Sequence, residues 1–197
     1  MLTLGLTGSI GMGKSATADM FRAEGIPVFD ADACVHALQA ANGPALPAIE
    51  AAFPGTVKHG VLDRQTLGTV VFADQQKLKQ LEAIMHPLVA AARTDFLANN
   101  RAAGAKLVVL DEPLLFEMGN AGACDHIVVV SADPGVQRER VMARPGMTAA
   151  KFDAIISQQM SDSAKRAGAD SIIPTDQGFD VAAKAVKQLL SKLTGPR

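Results

Sequence analysis

An apolar stretch, LTLGLT at 2–7, runs directly into GSIGMGKS at Gly8–Ser15, and a helix-forming segment, ATADMFR at 16–22, follows it. The spacing G-x-x-x-x-G-K-S, with a strand before it and a helix after it, restricts the fold more than any other feature of the chain. Gly8, Gly11 and Gly13, with Met12 between the last two, allow backbone conformations closed to bulkier residues and bring the main chain close to a ligand. Successive N–H groups at a helix N-terminus then face an anion. The pattern predicts a loop for a nucleoside triphosphate, ATP with Mg²⁺. Lys14 reaches the β- and γ-phosphates, Ser15 offers its hydroxyl to Mg²⁺, and Ala16 keeps its backbone N–H in the cradle.

The rest of the chain repeats the strand–helix alternation. Strands are predicted at 2–7, 26–30 (IPVFD, with Pro27 at its start), 105–110 (AKLVVL), 126–130 (HIVVV) and 171–173. The continuous apolar runs suit strands covered on both faces, as in a parallel sheet. Helices are predicted at 16–22, ending near Gly25, and at 30–38, 134–144, 148–160 and 179–193. Residues 42–66 carry Gly43, Pro44, Pro47, Pro54, Gly55 and Gly60 and read as short helices and turns. From 66 to 100, Leu78, Leu81, Met85, Leu88, Ala92 and Phe96 recur at helical spacing. Pro87 interrupts that stripe and predicts a kink or two helices. The fold class is α/β: a mainly parallel five-stranded sheet flanked by helices, in one domain spanning 1–197.

Composition excludes other classes. The chain is 48% hydrophobic and 20% charged, with a net charge of −1, which rules out a disordered chain and a generic nucleic-acid coat. Trp and Tyr are absent, so base-stacking platforms are not its device. No apolar run reaches the roughly 18 residues of a membrane span, and no cationic leader precedes the first strand, so the expected location is the cytoplasm. Cys34 and Cys124 are expected to be reduced thiols. No Asn is followed by Lys, so the guanine-reading N-K-x-D of a switch GTPase is missing.

Two readings of the phosphate's destination remain. LVVLDEP at 107–113 resembles the acidic strand end of mechanical ATPases, but the L-S-G-G-Q loop of transporter ATPases does not occur. Asp111 and Glu112 then either reach Mg²⁺ through water or end a strand. A small-molecule kinase needs instead a carboxylate for the acceptor hydroxyl and cations for the transferring phosphoryl. FDAD at 29–32 supplies Asp32 as the candidate base, with Asp30 as a helix cap. Between 138 and 166, six Lys and Arg face three acids. Arg140 and Arg144 share one helix face there, and Pro145-Gly146 follows them, a pattern that fits a phosphate-clamping lid. These residues leave the acceptor open, since a nucleoside, a sugar or another small alcohol satisfies them equally.

The resemblance is to the dephospho-CoA kinase family. LTGSIGMGKS at 6–15, GIPVFDAD at 25–32, Met85-His86-Pro87, DEPLLFE at 111–117, QRERVMAR at 137–144 and IISQQM at 155–160 resemble that family's motifs in order and spacing. It implies a P-loop kinase core, a helical CoA-binding region over about 58–104 and a lid over about 138–166. The implied reaction is ATP-dependent phosphorylation of the ribose 3′-hydroxyl of dephospho-CoA, with no nucleic acid, membrane or obligate protein partner. Lys14, Asp32 and Arg140 are implied to be catalytic. Arg144 supports the nucleotide, and His86, Leu114 and Leu115 lie on the acceptor side. Two departures stand out: Ala16 replaces the family's Thr, and IIPTDQG at 172–178 replaces its Asn-x-Gly segment.

Overall fold

The computed structural model describes residues 1–195. Its strands are β1 (Leu2–Thr7), β2 (Val28–Asp30), β3 (Val57–Lys58), β4 (Val61–Leu62), β5 (Leu107–Asp111), β6 (His126–Ser131) and β7 (Ser171–Pro174). Its α-helices are α1 (Lys14–Ala23), α2 (Ala31–Leu38), α3 (Leu46–Ala52), α4 (Arg64–Phe72) and α5 (Gln75–Ala102). After them come α6 (Pro134–Met142), α7 (Ala149–Gln158), α8 (Asp162–Ala167) and α9 (Phe179–Thr194). The chain divides into two compact units, one of Met1–Phe29 with the chain from Asn100 onward, the other of Asp30–Asn99.

The first unit is built on a five-stranded sheet of order β2-β5-β1-β6-β7. β1 pairs in parallel with β5 (Leu6 opposite Asp111) and with β6 (Thr7 opposite Val129), and β6 pairs in parallel with β7. The alternation in LTLGLT explains how β1 sits. Leu4 and Leu6 face one way into a core with Phe21 of α1, Val109, Val128, Val130, Ile173 and Val186 of α9. Gly5 faces the other way, where a Cβ would lie 2.8 Å from Leu115 and 2.7 Å from Cys124 Sγ. The missing side chain therefore admits Leu115, which is fully buried.

The second unit has its own core of Ala45, Leu46, Ile49, Phe53, Leu62, Leu67, Val71 and Met85. Leu78, Leu81, Ile84 and Leu88 pack against it, so the stripe read from the sequence is met at Leu78, Leu81, Met85 and Leu88, while Ala92 and Phe96 further along α5 are not part of this core. α5 runs through Pro87 as one 28-residue helix. The division between two helices falls earlier, where Asp74 accepts from Gln76 N–H at 2.8 Å. Apolar residues on both sides of Pro87 share one buried face, and that burial outweighs the hydrogen bond the proline removes. The β3–β4 hairpin is an addition to the turns predicted for 42–66. His59 (φ 50°) and Gly60 (φ 73°) form its two-residue turn, both left-handed as a type I′ hairpin requires.

Candidate active site

Glycine conformation sets up the loop between β1 and α1. Gly13 caps α1 in the left-handed region (φ 88°) and no side chain bonds into the helix start. The N–H groups of Lys14, Ser15 and Ala16 open a helix and have no intrahelical acceptor, so they remain available to an anion. Gly8 packs against Val130 and Gly11 against the main chain of Gln137 in α6, where a Cβ would lie 2.9 Å from the Gln137 carbonyl oxygen. Gly8 therefore serves close packing beneath the loop and not the special backbone conformation expected of it, whereas Gly11 (φ 79°) serves both. Met12 is buried, and its sulfur accepts from Ala132 N–H at 3.1 Å.

Lys14 extends to Asp111 at the end of β5, Nζ to Oδ1 2.7 Å, and Asp111 is 1% exposed. The sequence offered Asp111 as a magnesium contact or a strand end, and here it is the partner of the loop lysine. Next to it, Glu112 is buried and accepts from Asn120 Nδ2 at 2.9 Å. A carboxylate held in this way is not poised to activate water, which weighs against the mechanical-ATPase reading. Ser15 is exposed on the first turn of α1. A serine hydroxyl and a carboxylate are oxygen donors of the kind Mg²⁺ prefers. Among the described residues no cluster of three or more His, Cys, Asp or Glu is placed to hold a metal. A cation here would thus draw its other ligands from phosphate and water.

Arg140 of α6 lies against the loop. Its Nη2 donates to Thr175 O at 2.6 Å, and its Nη1 donates to Thr175 Oγ1 at 3.2 Å and to Gly11 O at 3.5 Å. Thr175 Oγ1 donates in turn to Met12 O at 2.8 Å. Thr175, just beyond β7, therefore links the guanidinium to the loop, a role that 172–178 did not reveal in the sequence. Arg144 is exposed and lies two residues past the last residue of α6, so it does not share a helix face with Arg140 as their spacing of four predicted; the helix stops before Pro145. The six cations of 138–166 are not one population. Arg138 sits 3.5 Å from Asp153 and 5.3 Å from the Phe152 ring centre, and Arg166 is 3.9 Å from Asp162. Lys165 is fully buried. Its Nζ is 2.8 Å from Glu117 Oε1 and donates to Pro113 O at 3.1 Å. A lysine in that position is a structural part of the core.

Burial raises the Glu117 carboxyl pKa, but the Lys165 hydrogen bond and the Met160 N–H outweigh it and hold the group below its ordinary value. Of the acceptor-side pair, Leu115 belongs to the core, and Leu114 is 40% exposed. A cavity of about 370 Å³ lies beyond β6 and β7, lined in part by Asp133, Asp162, Arg166 and Asp176. Three acids around one arginine do not suit a triphosphate.

The other unit carries Asp32 and His86. Asp30 caps α2, accepting from Ala33 N–H at 2.9 Å, and Asp32 is exposed in the first turn, two residues past the end of β2. His86 is exposed on α5 next to buried Met85. Neither Cys34 nor Cys124 is in a disulfide, and burial pushes the Cys34 thiol pKa up.

A family model for dephospho-CoA kinase matches residues 2–180. A curated dephospho-CoA kinase of Mesorhizobium japonicum is 53% identical over 197 residues, 100% of this chain and 99% of its own. A crystal structure from Thermus thermophilus superposes with a TM-score of 0.84 at 35% identity, covering 98% of each chain. The dephospho-CoA kinase from Campylobacter jejuni, at 24% identity, shares the fold with a TM-score of 0.72 over 98% of each chain.

Proposed function

The chain belongs to the dephospho-CoA kinase family, and on that premise we propose that it transfers the γ-phosphoryl of ATP to the ribose 3′-hydroxyl of dephospho-CoA, giving coenzyme A and ADP. The observation that carries the reading is the loop itself. Its helix-start amides are unspent, its lysine is held at the end of β5, and Arg140 rests on its rim.

Each residue has a task that follows from its chemistry. The unspent amides of Lys14, Ser15 and Ala16 at the start of α1, on the loop of Gly8, Gly11, Met12 and Gly13, hold the triphosphate together with the Lys14 ammonium, and the Lys14–Asp111 pair keeps that ammonium at the strand end until phosphate arrives. Ser15, with Asp111, supplies oxygen donors for Mg²⁺, which neutralises phosphate charge when bound. Arg140 offers guanidinium donors to the phosphoryl in transit, and Arg144 supports it from the turn that follows α6. Asp32 accepts the proton of the attacking hydroxyl. His86, Leu114 and Leu115 shape the acceptor side, Leu115 from within the core. Ala16 lacks the hydroxyl of the Thr usual in the family, so it contributes only its backbone N–H. We place the enzyme in the cytoplasm. No helix among the described residues is long and apolar enough to cross a membrane.

Mass spectrometry after incubating dephospho-CoA with the protein and MgATP tests the reading. The expected product carries one added phosphoryl on the 3′-oxygen. Release of inorganic phosphate alone, or phosphorylation of another alcohol from an acceptor panel in preference to dephospho-CoA, overturns it.

A further inference from the structure

The middle of the phosphate loop has few partners of its own. Its one internal main-chain bond runs from Met12 N–H to Ser9 O at 3.1 Å. At Ile10, between them, both main-chain groups are taken by glutamine side chains from distant segments. Ile10 N–H donates to Gln159 Oε1 at 3.0 Å, and Gln137 Nε2 donates to Ile10 O at 2.8 Å. Gln137 belongs to α6 and is 7% exposed, and Gln159 is the C-cap of α7.

These two helices also contact each other, through Arg138 with Asp153 and the Phe152 ring. α6 touches the loop a second time at Gly11, where its main chain leaves no room for a Cβ. Just past Gln159, Met160 N–H is fixed on Glu117 Oε1 at 2.9 Å. The segment carrying the glutamines is therefore anchored at its far end as well.

We propose that Gln137 and Gln159 clamp Ile10 between them and are positioning residues for ATP: through Ile10 they set which loop amides face the phosphates. Gln137 satisfies the carbonyl, and Gln159 withdraws the Ile10 N–H from competition for phosphate. The amides at the start of α1 are left as the anion's donors. The bonds are made before nucleotide arrives, so the loop is pre-organised and binding does not have to order it. The inference rests on ATP occupying this loop but not on the identity of the acceptor.

Gln159→Ala in the full chain is the direct test, because Gln159 is less buried than Gln137. Losing one hydrogen bond to the loop is expected to raise both the Kd of a non-hydrolysable ATP analogue and the KM for ATP about 3- to 10-fold. The KM for dephospho-CoA and the melting temperature stay at wild-type values. Without nucleotide, amide exchange at Ile10 speeds up by a similar factor. Gln159→Glu retains an acceptor oxygen and restores slow exchange at Ile10. If Gln159→Ala fails to fold, Gln159→Asn, one methylene short of Ile10, gives the same readings. Wild-type exchange at Ile10, or faster exchange with unchanged analogue affinity, overturns the proposal. Failure of the wild type to phosphorylate dephospho-CoA would overturn the acceptor assignment instead and leave the exchange and affinity readings intact.

Discussion

Lys165 is a cation with no exposed surface, 2.8 Å from a Glu117 carboxylate that is only partly open to water. Removing one partner of such a pair leaves an uncompensated charge, whereas removing both can be nearly neutral. Lys165→Met is expected to lower unfolding stability by about 3–5 kcal/mol, measured by urea titration. Adding Glu117→Gln should recover part of that loss, because Gln still accepts from Met160 N–H; a double-mutant cycle reads the coupling. The pair also fixes a pH dependence. Folding holds the Glu117 pKa below its ordinary 4.5, so its contribution is fully present above that value and is lost as pH falls through the depressed folded value. In Glu117→Gln the fall in stability on acidification below pH 4.5 should be shallower than in the wild type. At Asp32 the test is kinetic. Asp32→Asn keeps size and removes the proton acceptor, so kcat should fall about 10²- to 10⁴-fold while ATP-analogue affinity is retained, as single-turnover and binding measurements would show. Near-normal turnover would remove Asp32 from the base role.

Among the elements, α5 holds a proline in a helix interior, with Pro87 exposed between buried Met85 and half-buried Leu88, both packed on the same core. Replacing it by Ala restores a main-chain donor and relieves the clash with the preceding turn. Pro87→Ala should therefore raise stability by about 1–3 kcal/mol in denaturant unfolding; an unchanged midpoint would mean that the helix has already adapted to the ring. Which elements the sequence disclosed follows from the range of their causes. The β1–loop–α1 unit was legible because glycine spacing, a lysine and the flanking apolar run act within fifteen residues of one another. The α5 stripe was legible for the same reason, since its period is local. The β3–β4 hairpin was not, because its turn uses His59 where Asn or Asp is the usual signal, and each strand is two residues long. Gln137 and Thr175 carried no local signal at all. Their partners in the loop lie 127 and 163 residues away, and only the parallel order of β1, β6 and β7 brings them together. Charge counting over 138–166 placed Lys165 among the phosphate cations because a count has no means of seeing burial.

For the molecule as a whole, a net charge of −1 provides no general attraction for a polyanion such as ATP. Affinity must then be concentrated in the loop, the lysine and the arginine beside it. That concentration has a thermodynamic consequence. A ligand that binds only the folded state stabilises it by an amount set by its saturation, about 2.7 kcal/mol at a hundred times its Kd. MgATP at that concentration should raise the melting temperature of the wild-type protein. Lys14→Ala should abolish the rise, because it removes the ammonium that meets the phosphates and leaves Asp111, 1% exposed, facing them without that cation. Lys192→Gln, which changes net charge by the same amount on the exposed last turn of α9, should leave the rise intact. If the two variants lost the ATP-induced shift equally, the nucleotide would be responding to overall charge, and the case for the loop as its binding site would fail.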